Sequence, residues 1–285
     1  MTRFKQYTTL DPEFVGNKLA DFFAEDNIKN DITTLATQTE KRQVKGVFIA
    51  KESLVFAGQE IIKQGFLDCV IDDIVDDGTW LDQGDIIATM HGDIDKMLQK
   101  ERVVLNLIQR LSGIASTTKE LADITNRHDI ELLDTRKTTP GLRLFEKFAV
   151  TIGGGTNHRF SLQDAVMIKD NHLIGNPDIL QAVSKSKQDN PTKDIQIEVD
   201  TKDQLESALQ SEADSILLDN FKPETLPDII QMIRSYATGK NIYIELSGGI
   251  TTDTLANFCI KGVDGISMGA LTHNIKSKDI SLDIK

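Results

Sequence analysis

The feature that most constrains the fold is a series of six short apolar runs after residue 130. Each run is about one strand long and is followed by a helical or loop stretch; in order they are IELLD, AVMIKD, IQIEVD, SILLD, IYIELSGG and DGISMG. Continuous apolar strands that alternate with helices are typical of a parallel sheet buried on both faces. Their number and spacing favour a β/α barrel. A dinucleotide-binding sheet is disfavoured, because no G-x-G-x-x-G motif follows the first run.

The first hundred residues have a different pattern. Helical spacing over residues 14–23 precedes the strand-like segments VKGVFIA, SLVFAG and DCVIDDIVDD and the alternating segment DGTWLDQGDIIATMHGD. A long helical stretch from about Ile94 to Leu121 follows. We therefore predict an α+β amino-terminal domain over residues 1–113, followed by an incomplete β/α barrel of parallel strands over residues 114–273.

Composition and charge narrow the functional class. The chain has 285 residues, 27% of them charged, and a net charge of −12. This negative field repels phosphate, which argues against a protein that coats nucleic acid or an anionic membrane. No apolar run approaches the roughly 18 residues of a spanning helix, and the start lacks the apolar stretch of a signal peptide. Cys69 and Cys259 have no metal-ligand or disulfide spacing, so we expect a cytoplasmic protein.

Polar residues stand at the end of nearly every apolar run, where the reacting groups of a β/α barrel lie. They are Asp134–Lys137, Lys169–His172, Glu198 and Asp200, Asp219 and Asn220, Ser247–Gly249, and Gly269. Residues 134–172 contain six basic and four acidic side chains, a local excess of positive charge in an acidic protein. Arg offers planar bidentate donors to carboxylate or phosphate, and Lys offers a point charge. We expect a pocket for a small polyanion.

The later strand ends are rich in glycine. SGG at Ser247–Gly249 and MGA at Met268–Ala270 let backbone N–H groups approach a phosphate, and the last two strands of a barrel commonly build such a site. Two carboxylates, Glu198 and Asp219, lie between the cationic and glycine-rich halves in sequence. Carboxylates there would suit Mg²⁺ or the hydroxyls of a sugar.

The block DTRKTTPGLRLFEKFAVTIGGGTNHRFSLQDAVMIKDNHL, residues 134–173, resembles the signature block of the quinolinate phosphoribosyltransferases. The resemblance extends over essentially the whole chain through NDITT, ERVVLNLIQRLSGIAS, IEVD, LLDN, ELSGGI and ISMGALTH, in the expected order. Two motifs, NHR and KDNH, set the chain apart from related barrels of the molybdenum-transport type. The resemblance implies transfer of phosphoribose from phosphoribosyl pyrophosphate to quinolinate with decarboxylation, giving nicotinate mononucleotide, pyrophosphate and CO₂ in NAD biosynthesis.

The resemblance also implies roles for individual residues. The quinolinate carboxylates would be held by Arg136, His158, Arg159 and Lys169. Thr135 would belong to the substrate site, and Lys137 would lie near the reacting centre and the leaving pyrophosphate. Glu198 and Asp219 would address the ribose hydroxyls and Mg²⁺, with Lys137 as the third catalytic residue. The phosphate would be cradled by Ser247, Gly248, Gly249 and Gly269, with His273 as a helper.

Arg102 lies on the long helix and outside the strand ends. In the resembled enzymes the matching arginine enters the active site of the neighbouring subunit, which implies a homodimer, or a hexamer of dimers. The resemblance further implies that the tail 274–285 packs on the amino-terminal domain.

Two other functions remain open at the level of sequence. Lys169 at a strand end could form a Schiff base, as in a class I aldolase. A non-enzymatic module that senses a phosphate metabolite would need only the cationic pocket. His172 either orients Lys169 or caps a turn.

Overall fold

The computed structural model describes residues 2–174, 178–236 and 242–285, and its internal contacts divide the chain into two units. The first, called the α+β unit below, comprises Tyr7–Lys119, Pro140–Gly154 and Asn274–Lys285. The second, called the barrel unit, comprises Met1–Gln6, Glu120–Thr139 and Gly155–His273. The chain therefore passes between the units several times along its sequence.

The described residues form helices and strands in the following order. The elements of the first half are α1 (Pro12–Glu25), α2 (Ile32–Thr37), β1 (Gln43–Ala50), β2 (Leu54–Val55), α3 (Gln59–Gly65), β3 (Val70–Ile74), β4 (Trp80–Leu81), β5 (Ile86–Asp93) and α4 (Ile94–Thr125). Those of the second half are β6 (Glu131–Leu133), α5 (Arg143–Ile152), β7 (Val166–Ile168), α6 (Asp170–Leu173), α7 (Ile179–Asp189), β8 (Ile195–Val199), α8 (Lys202–Gln210), β9 (Ser215–Asp219), α9 (Leu226–Tyr236), β10 (Tyr243–Ser247), α10 (Leu255–Phe258), β11 (Gly265–Ser267), α11 (Ala270–His273) and β12 (Ile280–Ile284).

Helix α1 begins where local sequence dictates. The Asp11 carboxylate accepts a hydrogen bond from the Phe14 N–H at 2.8 Å, and Pro12 occupies the first turn, where no intrahelical N–H is needed. Val15 and Leu19, four residues apart on one face, are buried. The helix predicted from residues 14–23 is confirmed.

The carboxyl-terminal tail lies in the α+β unit. Strand β12 joins the edge of the antiparallel sheet, whose order is β12-β1-β5-β3, by pairing with β1. The tail also contacts α4, because the Lys278 N–H donates to the Gln109 carbonyl at 3.0 Å. Gly113 on α4 allows this approach: a Cβ there would lie 2.4 Å from the Lys276 carbonyl oxygen.

Helix α4 has 32 residues and confirms the helical prediction for this stretch. Its buried residues include Val104, Ile108 and Leu111, and residues 111–116 are all buried, so this part of the helix is enclosed on every side. In the described part of the chain, neither α4 nor any other helix is long and apolar enough to cross a membrane.

The barrel unit contains a six-stranded parallel sheet in the order β6-β11-β10-β9-β8-β7. Read cyclically, this is the order of the strands in the chain, as in a barrel that is open between its first two strands. Thr156 covers the free edge of β6: its N–H donates to the Leu132 carbonyl at 2.7 Å, and its carbonyl accepts from Asp134 at 3.1 Å. The predicted fold class, an α+β region followed by an incomplete β/α barrel, is confirmed.

The barrel strands are buried on both faces, which explains their continuous apolar sequences. In β8 the alternating residues Ile195 and Ile197 face one way and Gln196 faces the other, yet all three are fully buried. The inner face of the barrel therefore includes polar residues such as Gln196, whose side-chain amide donates to Glu245. That inner face leads directly to the strand ends.

Candidate active site

The predicted carboxylates converge at the carboxyl ends of β8, β9 and β10. Asp219 and Ser247 are paired in register at the ends of β9 and β10, and Glu198 is the penultimate residue of β8. Because side chains alternate along a strand, Glu198 shares the inner face with Gln196, and Ser247 shares it with Glu245. The barrel is therefore polar from its interior to its mouth on this side.

Lys169 and Glu198 form an ion pair across the ends of β7 and β8. Burial raises the pKa of Glu198, although its hydrogen bond to Lys169 acts in the opposite direction. Burial also raises the pKa of Asp219, against the charges of Lys169 and Lys137. The two carboxylates and the two ammonium groups thus influence one another, and they form one cluster of alternating charge.

Gly269 brings Lys137 and His273 together at the end of β11. A Cβ on Gly269 would lie 2.7 Å from Cδ of Lys137 and 3.0 Å from Cδ2 of His273. The hydroxyl of Thr272 donates to the Lys137 carbonyl at 2.7 Å. The Lys137 N–H in turn donates to the hydroxyl of Thr135 at 3.0 Å. A larger residue at position 269 would displace the Lys137 side chain.

The SGG turn after β10 requires glycine for two reasons. Gly248 and Gly249 have φ values of +87° and +63°, in the left-handed region that other residues rarely adopt. A Cβ on Gly248 would also lie 2.3 Å from Oδ1 of Asn220. No atom lies within 4 Å of a Cβ built on Gly249, so the turn presents its backbone to open space there.

Arg136 and Arg159 form the cationic side of the barrel unit. Arg159 is only 6% exposed, and its Nη1 donates to the Ala165 carbonyl at 2.8 Å. Burial lowers the pKa of Arg159, and the positive charge of Arg136 lowers it further. Within the described residues, the buried Nε of Arg136 has no hydrogen-bond partner. Two guanidinium groups this close repel each other, and a bound dianion would remove that repulsion.

His158 lies inside the barrel and is 5% exposed. Its Nδ1 accepts the Arg159 backbone N–H at 2.7 Å, so the ring proton lies on Nε2, which is 3.2 Å from Oε2 of Glu245. The Asp134 carboxylate binds the same loop through two hydrogen bonds. It accepts one from the His158 backbone N–H at 2.8 Å and one from the Asn157 side-chain amide at 2.8 Å. The loop that carries Arg159 is therefore fixed by buried hydrogen bonds.

Glu245 is a charged residue in the barrel interior that the sequence analysis missed. It is 1% exposed, and Gln196 donates to its Oε2 at 2.7 Å. Burial acts to raise the pKa of Glu245, but its interactions with His158 and hydrogen bonds from Gln196 and Ser267 outweigh burial and lower it to about 2. The signal was available: Glu245 and Gln196 interrupt otherwise apolar strands.

His172 caps a turn. Its Nδ1 accepts the Lys169 backbone N–H at 2.9 Å at the start of α6. The ring thereby fixes the backbone of Lys169, whose side chain extends to Glu198.

Arg102 belongs to the α+β unit and is exposed on α4. It lines a cavity of 340 Å³ whose walls come from α1, α4 and the loop before α5; the other lining residues are Phe22, Glu25, Asp26, Val103, Asn106, Leu107 and Leu142. All other predicted site residues lie in the barrel unit.

The donor chemistry of the two carboxylates bears on whether they could hold a magnesium ion. Among the described residues, no group of three or more His, Cys, Asp or Glu side chains could hold a metal. Glu198 and Asp219 nevertheless offer hard oxygen donors at one site, and Mg²⁺ is commonly held by one or two carboxylates together with substrate phosphates. The residues fit a magnesium ion that arrives with a phosphorylated substrate.

The comparisons with known proteins agree with this geometry. Residues 31–112 match the sequence model of the quinolinate phosphoribosyl transferase N-terminal domain, and residues 114–283 match that of its C-terminal domain. A probable nicotinate-nucleotide pyrophosphorylase (carboxylating) of Bacillus subtilis is 44% identical over 93% of this chain and 92% of its own. The corresponding protein of Methanocaldococcus jannaschii is 40% identical over 89% of this chain and 91% of its own.

A solved structure is also similar. The nicotinate-nucleotide pyrophosphorylase from Francisella tularensis has a TM-score of 0.90 and 35% identity, covering 99% of this chain and all of that one. The family resemblance inferred from the sequence is confirmed. The chain belongs to the quinolinate phosphoribosyltransferase family.

Proposed function

We propose that the protein transfers phosphoribose from phosphoribosyl pyrophosphate to quinolinate, with loss of CO₂. One observation carries the assignment: Lys169 is ion-paired with Glu198 at the carboxyl ends of β7 and β8. The buried Arg159 lies in the loop that precedes β7. A site for an anionic acceptor and a site for a ribosyl donor thus meet at one pair of side chains. The family membership of the chain supports the same reaction.

Quinolinate is a planar dicarboxylate, and we assign its carboxylates to Arg136, Arg159 and Lys169. A guanidinium pairs with a carboxylate through two parallel hydrogen bonds, which fixes both distance and plane. Arg159 is suited to this because its contact with the Ala165 carbonyl sets its direction. We place His158 in the same site, where it holds Arg159 through the Nδ1 contact.

We assign the phosphate of phosphoribosyl pyrophosphate to the turns that contain Ser247, Gly248, Gly249 and Gly269. Gly248 and Gly249 both have positive φ, and glycine-rich turns of this kind let backbone N–H groups approach a bound anion. Lys137 supplies positive charge for the departing pyrophosphate, and His273, which lies beside Gly269 together with Lys137, helps to bind the phosphate.

The reaction needs a positively charged ribose carbon to be stabilised as the pyrophosphate leaves. We assign this to Glu198 and Asp219, whose carboxylates also suit the ribose hydroxyls. The quinolinate ring nitrogen forms the new bond to that carbon as the bond to pyrophosphate breaks. The carboxylate next to the nitrogen then leaves as CO₂, and its electron pair stays on the ring carbon, which takes up a proton.

We propose Mg²⁺ as the cofactor, held by Glu198 and Asp219 together with the substrate. When bound, the ion neutralises charge on the pyrophosphate and lowers the barrier to its departure. Chelation should abolish turnover, and Mg²⁺ should restore it. Tighter binding of phosphoribosyl pyrophosphate with Mg²⁺ than without it, measured by calorimetry, would support the assignment independently of turnover.

We further propose that the working form is a homodimer, or a hexamer of dimers, in which Arg102 serves the active site of a second copy. The support is the resemblance of its helix to the family and the exposure of Arg102 beside a cavity. We also propose a cytoplasmic location, which the two free cysteines, Cys69 and Cys259, favour.

A class I aldolase is less well supported. Its lysine must be free to attack a carbonyl, whereas the side chain of Lys169 is ion-paired with Glu198. A module that only senses anions would not need the two carboxylates at the strand ends.

The deciding experiment incubates the protein with quinolinate, phosphoribosyl pyrophosphate and Mg²⁺. We expect nicotinate mononucleotide, pyrophosphate and CO₂ in equal amounts. Absence of all three products would refute the proposed phosphoribosyl transfer. Borohydride trapping of a carbonyl substrate on Lys169 would favour the class I aldolase.

A further inference from the structure

Residues 2–6, called the amino-terminal segment below, contact the barrel at the amino ends of its strands, opposite the carboxyl ends that carry the candidate site. Arg3 donates to the hydroxyl of Ser215 at 2.8 Å, and its guanidinium lies 4.6 Å from the centre of the Tyr243 ring. Ser215 and Tyr243 are the first residues of β9 and β10. Arg3 also pairs with Asp194, immediately before β8, at 3.5 Å. The segment is therefore attached to three neighbouring strands at their amino ends.

Beyond Arg3 the segment reaches the loop that carries His158. The ring of Phe4 stacks on the imidazole of His158, with centroids 4.7 Å apart and planes inclined by 24°. Gln6 makes two hydrogen bonds to the backbone of Asn157. Its Oε1 accepts from the Asn157 N–H at 2.7 Å, and its Nε2 donates to the Asn157 carbonyl at 3.2 Å. Phe4 and Gln6 thus contact two successive residues of one loop.

His158 connects this segment to the cationic side of the site. Phe4 covers one face of the ring, and Glu245 holds Nε2. Nδ1 holds the backbone N–H of Arg159. A ring that rotated would lose both of its hydrogen bonds, and it would leave the buried carboxylate of Glu245 with fewer partners, which is costly. Phe4 therefore restricts the ring orientation on which the position of Arg159 depends.

We propose that residues 2–6 form a support for the acceptor site, in which Phe4 is a positioning residue for quinolinate binding. The inference rests on the proposed function, since it takes Arg159 and His158 to belong to the quinolinate site. Phe4 acts through His158 and Arg159 and does not touch the substrate. The proposed donor site lies at the carboxyl ends of β8 to β11, whereas Arg3 contacts the amino ends of β9 and β10, so the effect should be specific to the acceptor.

The test measures kcat and both KM values for Phe4→Ala, Phe4→Leu and Phe4→Trp. Loss of one aromatic contact should raise the quinolinate KM by roughly 3- to 10-fold. The KM for phosphoribosyl pyrophosphate should stay within about twofold, because its proposed ligands are elsewhere. Phe4→Leu, which keeps apolar bulk without a flat ring, should behave like Phe4→Ala. Phe4→Trp should retain a quinolinate KM close to that of the wild type.

A matched control is Phe14→Ala. Phe14 is also half-buried and also packs on an aromatic ring, that of Phe145 at 5.4 Å, but it lies in the α+β unit. This variant should lose thermal stability without a selective change in the quinolinate KM. The double variant Phe4→Ala/His158→Ala should be no more impaired than His158→Ala alone, because Phe4 acts through that ring.

The outcomes separate this inference from the function on which it rests. Failure of the wild type to turn over quinolinate would refute the proposed function. If the wild type is active, the inference is overturned by an unchanged quinolinate KM in Phe4→Ala, by equal rises in both KM values, or by additive effects of Phe4→Ala and His158→Ala.

Discussion

The ammonium group of Lys169 is ion-paired with the carboxylate of Glu198, so the residue assigned to the acceptor touches the residue assigned to the ribose. Lys169 and Glu198 are neighbours because β7 and β8 are adjacent strands of the parallel sheet. The arrangement predicts that the two side chains affect different steps. Lys169 should act on quinolinate binding, and Glu198 should act on the transfer itself.

Replacement of Glu198 by Gln tests the predicted role of Glu198 in the transfer step. The variant keeps the shape but loses the negative charge that stabilises the ribose carbon, so kcat should fall roughly 100-fold. The quinolinate KM should change by less than about fivefold, since the cations remain. Asp203→Asn, an exposed carboxylate on α8, is the control. An equal kcat for Glu198→Gln and wild type would exclude the assigned role.

The SGG turn allows a separate prediction about the phosphate site. Gly248→Ala adds a methyl group that would meet Asn220, next to Asp219, in addition to straining a positive φ. Gly84→Ala introduces similar strain at φ +98°, with no atom within 4 Å, in the α+β unit. Both variants should lose about 1 kcal/mol of stability through backbone strain. Only Gly248→Ala should raise the KM for phosphoribosyl pyrophosphate, and a similar rise in Gly84→Ala would argue against the turn as the phosphate site.

The buried carboxylate of Glu245 makes stability depend on pH. Its pKa is lowered from an ordinary value near 4.5 to about 2 in the folded protein, so ionised Glu245 favours folding. The contribution, roughly 3 kcal/mol, is complete above pH 4.5 and is lost as the pH falls through 2. The Glu245→Gln variant has no carboxylate at this position and therefore lacks this pH-dependent contribution to stability. The difference in free energy of unfolding between wild type and Glu245→Gln should shrink from pH 6 to pH 3.

Urea titrations of both proteins across that range provide the measurement. Glu212→Gln, at an exposed carboxylate, should show no such trend relative to wild type. A difference that is constant with pH would mean that Glu245 does not carry its charge in the folded protein.

Much of the fold was predictable from local sequence. The six apolar runs became the six barrel strands, because strands buried on both faces need apolar residues at nearly every position. The glycines of the SGG turn were predictable as well, since the positive φ that favours glycine at Gly248 and Gly249 belongs to a local turn. The family was identified from the motifs around Arg136 and Lys169.

The contacts within the barrel were not predictable in this way. The pairing of Phe4 with His158 joins residues 154 positions apart, and that of His158 with Glu245 joins residues 87 apart. No local pattern specifies such pairs. Residues 140–154 follow the first barrel strand in the sequence, and their contacts, among them Phe145 with Phe14, lie in the α+β unit.

A subunit-mixing experiment tests the proposed role of Arg102. Arg102→Ala and Lys169→Ala chains should each be inactive, and Arg102→Ala should keep its fold, because a change at an exposed helix position costs within about 0.5 kcal/mol. After subunit exchange, a mixed dimer has one intact site if Arg102 acts on the second copy. About a quarter of wild-type activity should then return. A mixture that stays inactive despite proven exchange would contradict the shared site.

The central claim is that the site is built for a dicarboxylate acceptor, and the most direct measurement compares quinolinate with nicotinate. Formation of nicotinate mononucleotide from each acceptor is followed at saturating phosphoribosyl pyrophosphate and Mg²⁺. Nicotinate has one carboxylate and would leave part of the cluster of Arg136, Arg159 and Lys169 unpaired, at a cost of about 1–3 kcal/mol. The account predicts a kcat/KM for quinolinate at least roughly tenfold above that for nicotinate. Equal values for the two acceptors would contradict it.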